Sequence, residues 1–87
     1  MAGPRILYID DDAGIRRLVT RALERRGYQV TVADGGEAGV AAAQAATFDV
    51  VAVDHYMPGI DGLETMARLS ALPDAPAMVY VLSLIHI

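Results

Sequence analysis

Short apolar runs alternate with amphipathic or alanine-rich stretches along the 87-residue chain. Apolar runs bounded by polar or turn residues are typical of strands in a parallel sheet. They predict four strands, at residues 6–9, 28–32, 50–53 and 78–82, of which the second alternates only weakly. The segments between them predict three helices. The order β-α-β-α-β-α-β with short connections indicates a parallel sheet with helices on both faces.

The first predicted helix has the clearest pattern. Its apolar residues recur at helical spacing, at Ile15, Leu18, Val19, Ala22 and Leu23. Asp11 or Asp12 can cap its start, and Gly27 marks its end. The residues that lie off the apolar stripe include Arg16, Arg17, Arg21 and Arg25. We expect this basic face to be a solvated surface rather than a binding patch.

The other two helices are less sharply defined by their sequences. Residues 37–46 are rich in alanine, which permits close packing but defines a face poorly. After Gly62, the spacing of Leu63, Met66 and Ala67 predicts the inner face of the third helix, which should end near residues 72–73.

Composition narrows the classes of function. The net charge of −4 weighs against a nucleic acid as a direct partner, and the absence of cysteine excludes disulfides and thiolate metal sites. All seven basic residues are arginine. The apolar segment near the N-terminus is too short for a secretory signal, and no run approaches the ~20 residues of a membrane span. We therefore expect a single cytoplasmic domain.

Carboxylates end two of the predicted strands. Asp10 and Asp11 follow the first strand, and Asp54 follows the third. In a doubly wound sheet these strands are neighbours at the topological switch point, where ligands bind at the carboxyl edge. Three carboxylates at one edge repel each other, and a hard cation with oxygen ligands relieves that repulsion. Mg²⁺ is expected, because it takes one or two carboxylates and leaves room for phosphate oxygens.

Other polar residues near this edge are assigned structural roles. Asp12 is predicted to cap the first helix, and Asp61 to form a turn before the third. His55 and His86 are too isolated to suggest a metal pair and are expected at the surface.

Two segments together match a known family. One is ILYIDDD at residues 6–12, followed by RRL at 16–18; the other is DHYMPGIDG at 54–62, followed by a strand that ends at Ser83. In this order and at this spacing, residues 5–83 resemble the receiver domain of bacterial two-component response regulators. The combination of an Asp-Asp pair with a downstream Asp-x-x-Met-Pro-x-x-Asp-Gly segment is far more specific than either part.

The resemblance implies a flavodoxin-like, doubly wound parallel sheet of strand order 2-1-3-4. It implies a signalling module rather than an enzyme, in which Asp54 accepts a phosphoryl group from a sensor histidine kinase and slow self-dephosphorylation can follow. Asp10, Asp11, Asp54 and the backbone carbonyl of Tyr56 would correspond to the Mg²⁺ ligands, Asp11 directly and Asp10 through water. Ser83 would correspond to the hydroxyl that bonds the phosphoryl oxygen and couples it to a conformational switch.

The chain departs from the family pattern at its C-terminal end. Receiver domains continue with a helix, a fifth strand ending in a lysine, and a last helix, whereas this chain contains no lysine and stops four residues after Ser83. We therefore expect residues 1–83 to be a partial receiver domain and residues 84–87 to be an atypical tail that reflects truncation or a misassembled reading frame. A longer parent protein could carry a C-terminal output domain.

Two other functions stay open at this point. A pseudo-receiver that only binds a partner protein would account for the missing lysine. A Mg²⁺-dependent phosphatase with an aspartate nucleophile could use Asp10 and Asp12, but it would need a threonine shortly afterwards and a later lysine, and the chain offers Gly14 and no lysine. Phosphorylation by a small donor separates the first alternative from a true receiver.

Overall fold

The computed structural model describes residues 3–54, 62–73 and 77–81, with the backbone alone at residues 54 and 77–81. The elements are β1 (Arg5–Ile9), α1 (Ala13–Glu24), β2 (Gln29–Ala33), α2 (Gly36–Ala45), β3 (Val50–Asp54), α3 (Gly62–Ser70) and β4 (Ala77–Val81). Each predicted element is therefore present, with ends that differ from the prediction by about two residues at most.

The strands form one parallel sheet of order β2-β1-β3-β4, which confirms the predicted order. β1 is central, and it pairs with β2 on one side and β3 on the other. Ile9, the last residue of β1, lies opposite Ala33 in β2 and Val53 in β3. Because parallel neighbours cannot be joined by tight hairpins, each crossover is a helix, as the sequence pattern predicted.

One face of the sheet carries the hydrophobic core. Its members come from strand positions, from α3 and from the connection before β3, at Leu7, Ile9, Ala33, Phe48, Val51, Val53 and Leu69. The partly buried side chains of α2 and α3, such as Val40 and Met66, pack against this cluster. α2 approaches the sheet closely, since a Cβ at Gly39 would collide with the side chain of Ile9.

The opposite face is built differently. Ile6, Tyr8 and Asp10 alternate with the core residues of β1 and are also buried. Within the described part of the chain, no residue of α1 belongs to the core cluster or is fully buried. Leu18 is 65% exposed although it lies in the predicted apolar stripe. The extent of α1 is confirmed, and its apolar stripe is only partly covered where the helix packs along β2.

The inner face of α3 also differs from the prediction. Leu63 is 61% exposed and Ala67 is exposed, whereas Thr65 and Leu69 are fully buried. Met66 is half-buried, and it lies between the predicted inner face and the face that is buried in the structure. The helix is thus rotated relative to the prediction, and it buries a threonine that a count of apolar residues passes over.

Candidate functional site

The candidate site lies at the carboxyl edge of the two central strands. Ile9 of β1 and Val53 of β3 are register partners, and Asp10 and Asp54 each follow directly. Since neighbouring strands lie about 4.8 Å apart, the backbones of these two aspartates are close together across the β1–β3 pair. The switch-point argument therefore led to an edge that the sheet topology does contain.

Asp10 is buried, and both of its carboxylate oxygens accept a hydrogen bond. It is 5% exposed, its Oδ2 accepts a hydrogen bond of 2.7 Å from the hydroxyl of Tyr8, and its Oδ1 accepts one of 2.9 Å from the backbone N–H of Asp12. Its own N–H donates to the carbonyl of Ala33 at 3.1 Å. A buried carboxylate needs such donors, because burial without them is costly.

The two following acids have different surroundings. Asp12 is the N-cap of α1, and its Oδ1 accepts a hydrogen bond of 3.0 Å from the N–H of Ile15, as predicted. Asp11 is exposed, and no described residue donates a hydrogen bond to its carboxylate. Its oxygens are therefore accessible to a cation, whereas those of Asp10 already have protein donors.

Arg16 corrects the prediction that the basic side of α1 is only a solvated surface. Its side chain is half-buried, and Nη1 donates a hydrogen bond of 2.8 Å to the carbonyl oxygen of Asp10. Arg16 can do this because it lies in the first turns of α1, next to the end of β1. Arg17, Arg21 and Arg25 are exposed, as expected.

Tyr8 is the residue at this edge that sequence reasoning missed, since it was counted as part of an apolar strand. Two signals could have found it. A tyrosine two residues before an aspartate in a strand lies on the same face, and a buried tyrosine hydroxyl usually has a hydrogen-bond partner. Its ring is buried and its hydroxyl reaches Asp10.

Several predicted site residues cannot be placed. Tyr56 and Ser83, like His55, Asp61 and His86, lie outside the described residues, and so does the side chain of Asp54. Within the described part, no group of three acidic or histidine side chains is arranged to hold a metal ion. The donor set nevertheless suits Mg²⁺, because Asp10 and Asp11 offer hard oxygen atoms beside the backbone of Asp54.

A cavity of about 320 Å³ lies at the other end of the sheet, away from the carboxylates. It is lined by residues 43–48 together with Leu72 and Pro73, none of which is ionisable. It therefore offers no acid, base or metal ligand, and the chemistry of the described residues is concentrated at the carboxyl edge.

Comparison with known proteins agrees with the topology. The family model of the response regulator receiver domain matches residues 6–85. The chain belongs to this family. This confirms the resemblance inferred from the sequence, and receiver domains are signalling domains of two-component systems. Within the described residues, no helix is long and apolar enough to cross a membrane.

Among curated relatives, the transcriptional regulatory protein ResD of Bacillus subtilis is 35% identical over 75 residues. These residues make up 86% of this chain but 31% of ResD. The chain thus spans less than a third of that regulator.

Solved structures of receiver proteins superpose closely. TrrA, a response regulator of Thermotoga maritima, has been solved in complex with the histidine kinase ThkA; the match has a TM-score of 0.87 and 30% identity, and covers 97% of this chain and 72% of that one. TrrA has also been solved in complex with Mg²⁺-BeF, where the match has a TM-score of 0.77 and 28% identity and covers 95% and 90% of the two chains. These matches confirm the predicted flavodoxin-like fold.

Proposed function

We propose that this receiver domain accepts a phosphoryl group from a sensor histidine kinase on the carboxylate of Asp54, in a Mg²⁺-dependent reaction. The observation that carries the proposal is the register of Ile9 with Val53, because it sets Asp54 beside Asp10 at the edge where α/β sheets bind ligands. The complex of TrrA with a histidine kinase supports the class of partner. The complex of TrrA with Mg²⁺-BeF supports the metal.

The chemistry requires an aspartate nucleophile and a neutralised site. A carboxylate oxygen of Asp54 attacks phosphorus, the bond from phosphorus to the donor nitrogen breaks, and an acyl phosphate forms. Asp11 would hold the metal directly, Asp10 through water, and Asp54 and the carbonyl of Tyr56 would complete the protein ligands. Bound Mg²⁺ supplies positive charge to the phosphoryl oxygens. Slow hydrolysis of the acyl phosphate would reset the domain.

The response to phosphorylation would depend on Ser83. In this proposal its hydroxyl donates a hydrogen bond to a phosphoryl oxygen and shifts a conformational equilibrium. The chain has no lysine that could pair with the phosphoryl group, so Mg²⁺ and Ser83 would stabilise it without that cation. We therefore expect slow phosphorylation and a weak conformational response in this chain.

The proposal also concerns the extent of the domain and its setting. Residues 1–83 would form the receiver part and residues 84–87 a short tail that does not contribute to it. The chain would act in the cytoplasm, where sensor kinases present their phosphohistidine. In a longer parent protein it would regulate an output domain, as the length of ResD relative to this match suggests.

Labelling with acetyl phosphate tests the proposal directly. In the presence of Mg²⁺, intact-mass spectrometry should detect one added phosphoryl group on the chain, and chelation of the metal should abolish it. Asp54→Asn should remove the label, because the amide is not a competent nucleophile. Asp34→Asn is a matched control, since Asp34 is an exposed aspartate directly after β2 at the same edge of the sheet.

Each outcome of this experiment separates the alternatives. Labelling that persists in Asp54→Asn would place the nucleophile elsewhere and favour a phosphatase. A phosphatase would use Asp10 and Asp12, but the carboxylate of Asp12 caps α1. Absence of any label, also in a longer version of the protein with a lysine-bearing fifth strand, would favour a pseudo-receiver that only binds a partner.

A further inference from the structure

A buried tyrosine and a buried aspartate form a hydrogen-bonded pair inside the candidate site. Tyr8 is 6% exposed and Asp10 is 5% exposed, and the distance from the Tyr8 hydroxyl to Asp10 Oδ2 is 2.7 Å. The two residues are second neighbours in sequence, so they lie about 6.6 Å apart along the strand direction and on the same face. A tyrosine ring that leans along the strand spans this distance.

The register of the sheet determines which side chains lie beside the ring of Tyr8. In register, Tyr8 lies between Val32 of β2 and Ala52 of β3. The small side chain of Ala52 leaves space beside the ring, whereas Val32 is branched and larger. A buried tyrosine has only two side-chain torsions to fix, so its hydroxyl is held at a defined point at little entropic cost.

The pair determines what the Asp10 carboxylate can do. Tyr8 donates to Oδ2 and the N–H of Asp12 donates to Oδ1, so both oxygens are held and the carboxylate cannot rotate without breaking a hydrogen bond. Each carboxylate oxygen has a second lone pair that can accept one further hydrogen bond. Asp10 can therefore accept a hydrogen bond from a metal-bound water molecule while it keeps both of these hydrogen bonds.

We propose that Tyr8 is a positioning residue of the Mg²⁺ site, and that its hydroxyl fixes the Asp10 carboxylate in the orientation that receives a metal-bound water. This inference rests on the proposed function, because it presupposes that Asp10 and Asp11 bind Mg²⁺. Tyr8 acts through Asp10 and does not touch the metal. Tyr8 lies one residue pair inside the sheet from the edge, on the face opposite the hydrophobic core.

Metal binding measured by calorimetry on the whole chain tests this role. Tyr8→Phe removes the hydroxyl but keeps the ring, and it should weaken Mg²⁺ binding about tenfold, as is usual when the orientation of a metal site is lost. Tyr28→Phe is the matched control, because it removes a hydroxyl from a half-buried tyrosine near the amino end of β2. It should leave the affinity unchanged.

A double-mutant cycle separates positioning from a general structural effect. In the Asp10→Asn background, Tyr8→Phe should change Mg²⁺ affinity by less than about twofold, because the group through which it acts has already been altered. Equal losses in both backgrounds would show that Tyr8 supports the fold and not Asp10, and would overturn the inference. The cycle is interpreted only for variants whose circular dichroism matches that of the unmodified chain.

A measurement on the unmodified chain covers the case in which Tyr8→Phe does not fold. The hydroxyl proton of Tyr8, held by a buried carboxylate, should give a slowly exchanging NMR signal that persists when Mg²⁺ saturates the site. Loss of that signal on Mg²⁺ binding would mean that Asp10 leaves Tyr8 to ligate the metal, which contradicts the inference.

The failure of this inference is distinguishable from that of the proposed function. If the unmodified chain binds no Mg²⁺, or if Asp11→Asn binds it equally well, the proposed metal site is wrong and the inference falls with it. If the unmodified chain binds Mg²⁺ and Tyr8→Phe binds it as tightly, only the role of Tyr8 is overturned.

Discussion

The two faces of the sheet differ in how their side chains are buried. On one face, Leu7 and Ile9 of β1 join Val51 and Val53 of β3 in an apolar core covered by α2 and α3. On the other face, β1 presents Tyr8 and Asp10, and their burial is accompanied by hydrogen bonds rather than by apolar contacts alone. The comparison teaches that one strand can supply an apolar core from one side and buried polar groups from the other, because successive side chains alternate.

The largest expected effect separates the two faces by their contribution to stability. Leu69→Ala should lower the free energy of unfolding by about 2–5 kcal/mol, since Leu69 is fully buried in the core and truncation leaves a cavity. Leu18→Ala, on the exposed stripe of α1, should cost less than about 0.5 kcal/mol. Urea unfolding measures both. Equal losses would mean that α1 is buried in solution and that the two faces do not differ.

A middle-sized effect tests how closely α2 lies on the core face. Gly39→Ala introduces a Cβ that collides with Ile9, which is itself fully buried, and should cost about 1–3 kcal/mol. Gly35→Ala is the control, because a Cβ there would meet nothing within 4 Å. If thermal unfolding shows no loss of stability in Gly39→Ala, α2 packs farther from the sheet than described.

The smallest effect concerns the polar face. Asp12→Ala removes the hydrogen bond to the N–H of Ile15 at the start of α1 and should cost about 1 kcal/mol. Asp12→Asn retains a capping oxygen and should cost only a fraction of that. Circular dichroism during urea unfolding detects both. A loss in Asp12→Asn as large as in Asp12→Ala would show that the charge of Asp12, and not its cap, is what matters.

Much of the fold could be predicted from the sequence, because periodicity and strand ends are local properties. The apolar run 50–53 and the pattern of α1 were enough to predict the elements, and their alternation predicted the parallel sheet. The acidic edge followed from Asp10 at the end of one strand and Asp54 at the end of its neighbour.

The details that the sequence did not predict depend on tertiary contacts. Leu63 and Thr65 belong to two overlapping stripes of α3, and only packing against α2 and the sheet selects the one that is buried. In the sequence pattern Arg16 does not differ from the exposed arginines of α1, and only the position of the end of β1 beside α1 gives it a hydrogen-bond partner. The contact of Tyr8 with Asp10 depends on a side-chain conformation that reaches along the strand, and a pattern of apolar residues carries no information about that conformation.

Asp10 is also hydrogen-bonded to three elements of the fold. Its N–H is tied to β2 through Ala33, its carbonyl to α1 through Arg16, and its carboxylate to β1 through Tyr8. A small displacement of β2 or α1 therefore changes the orientation of the Asp10 carboxylate. If the edge binds Mg²⁺ as proposed, its affinity for the cation would depend on the positions of β2 and α1, and substitutions in those elements would alter binding without changing any ligand.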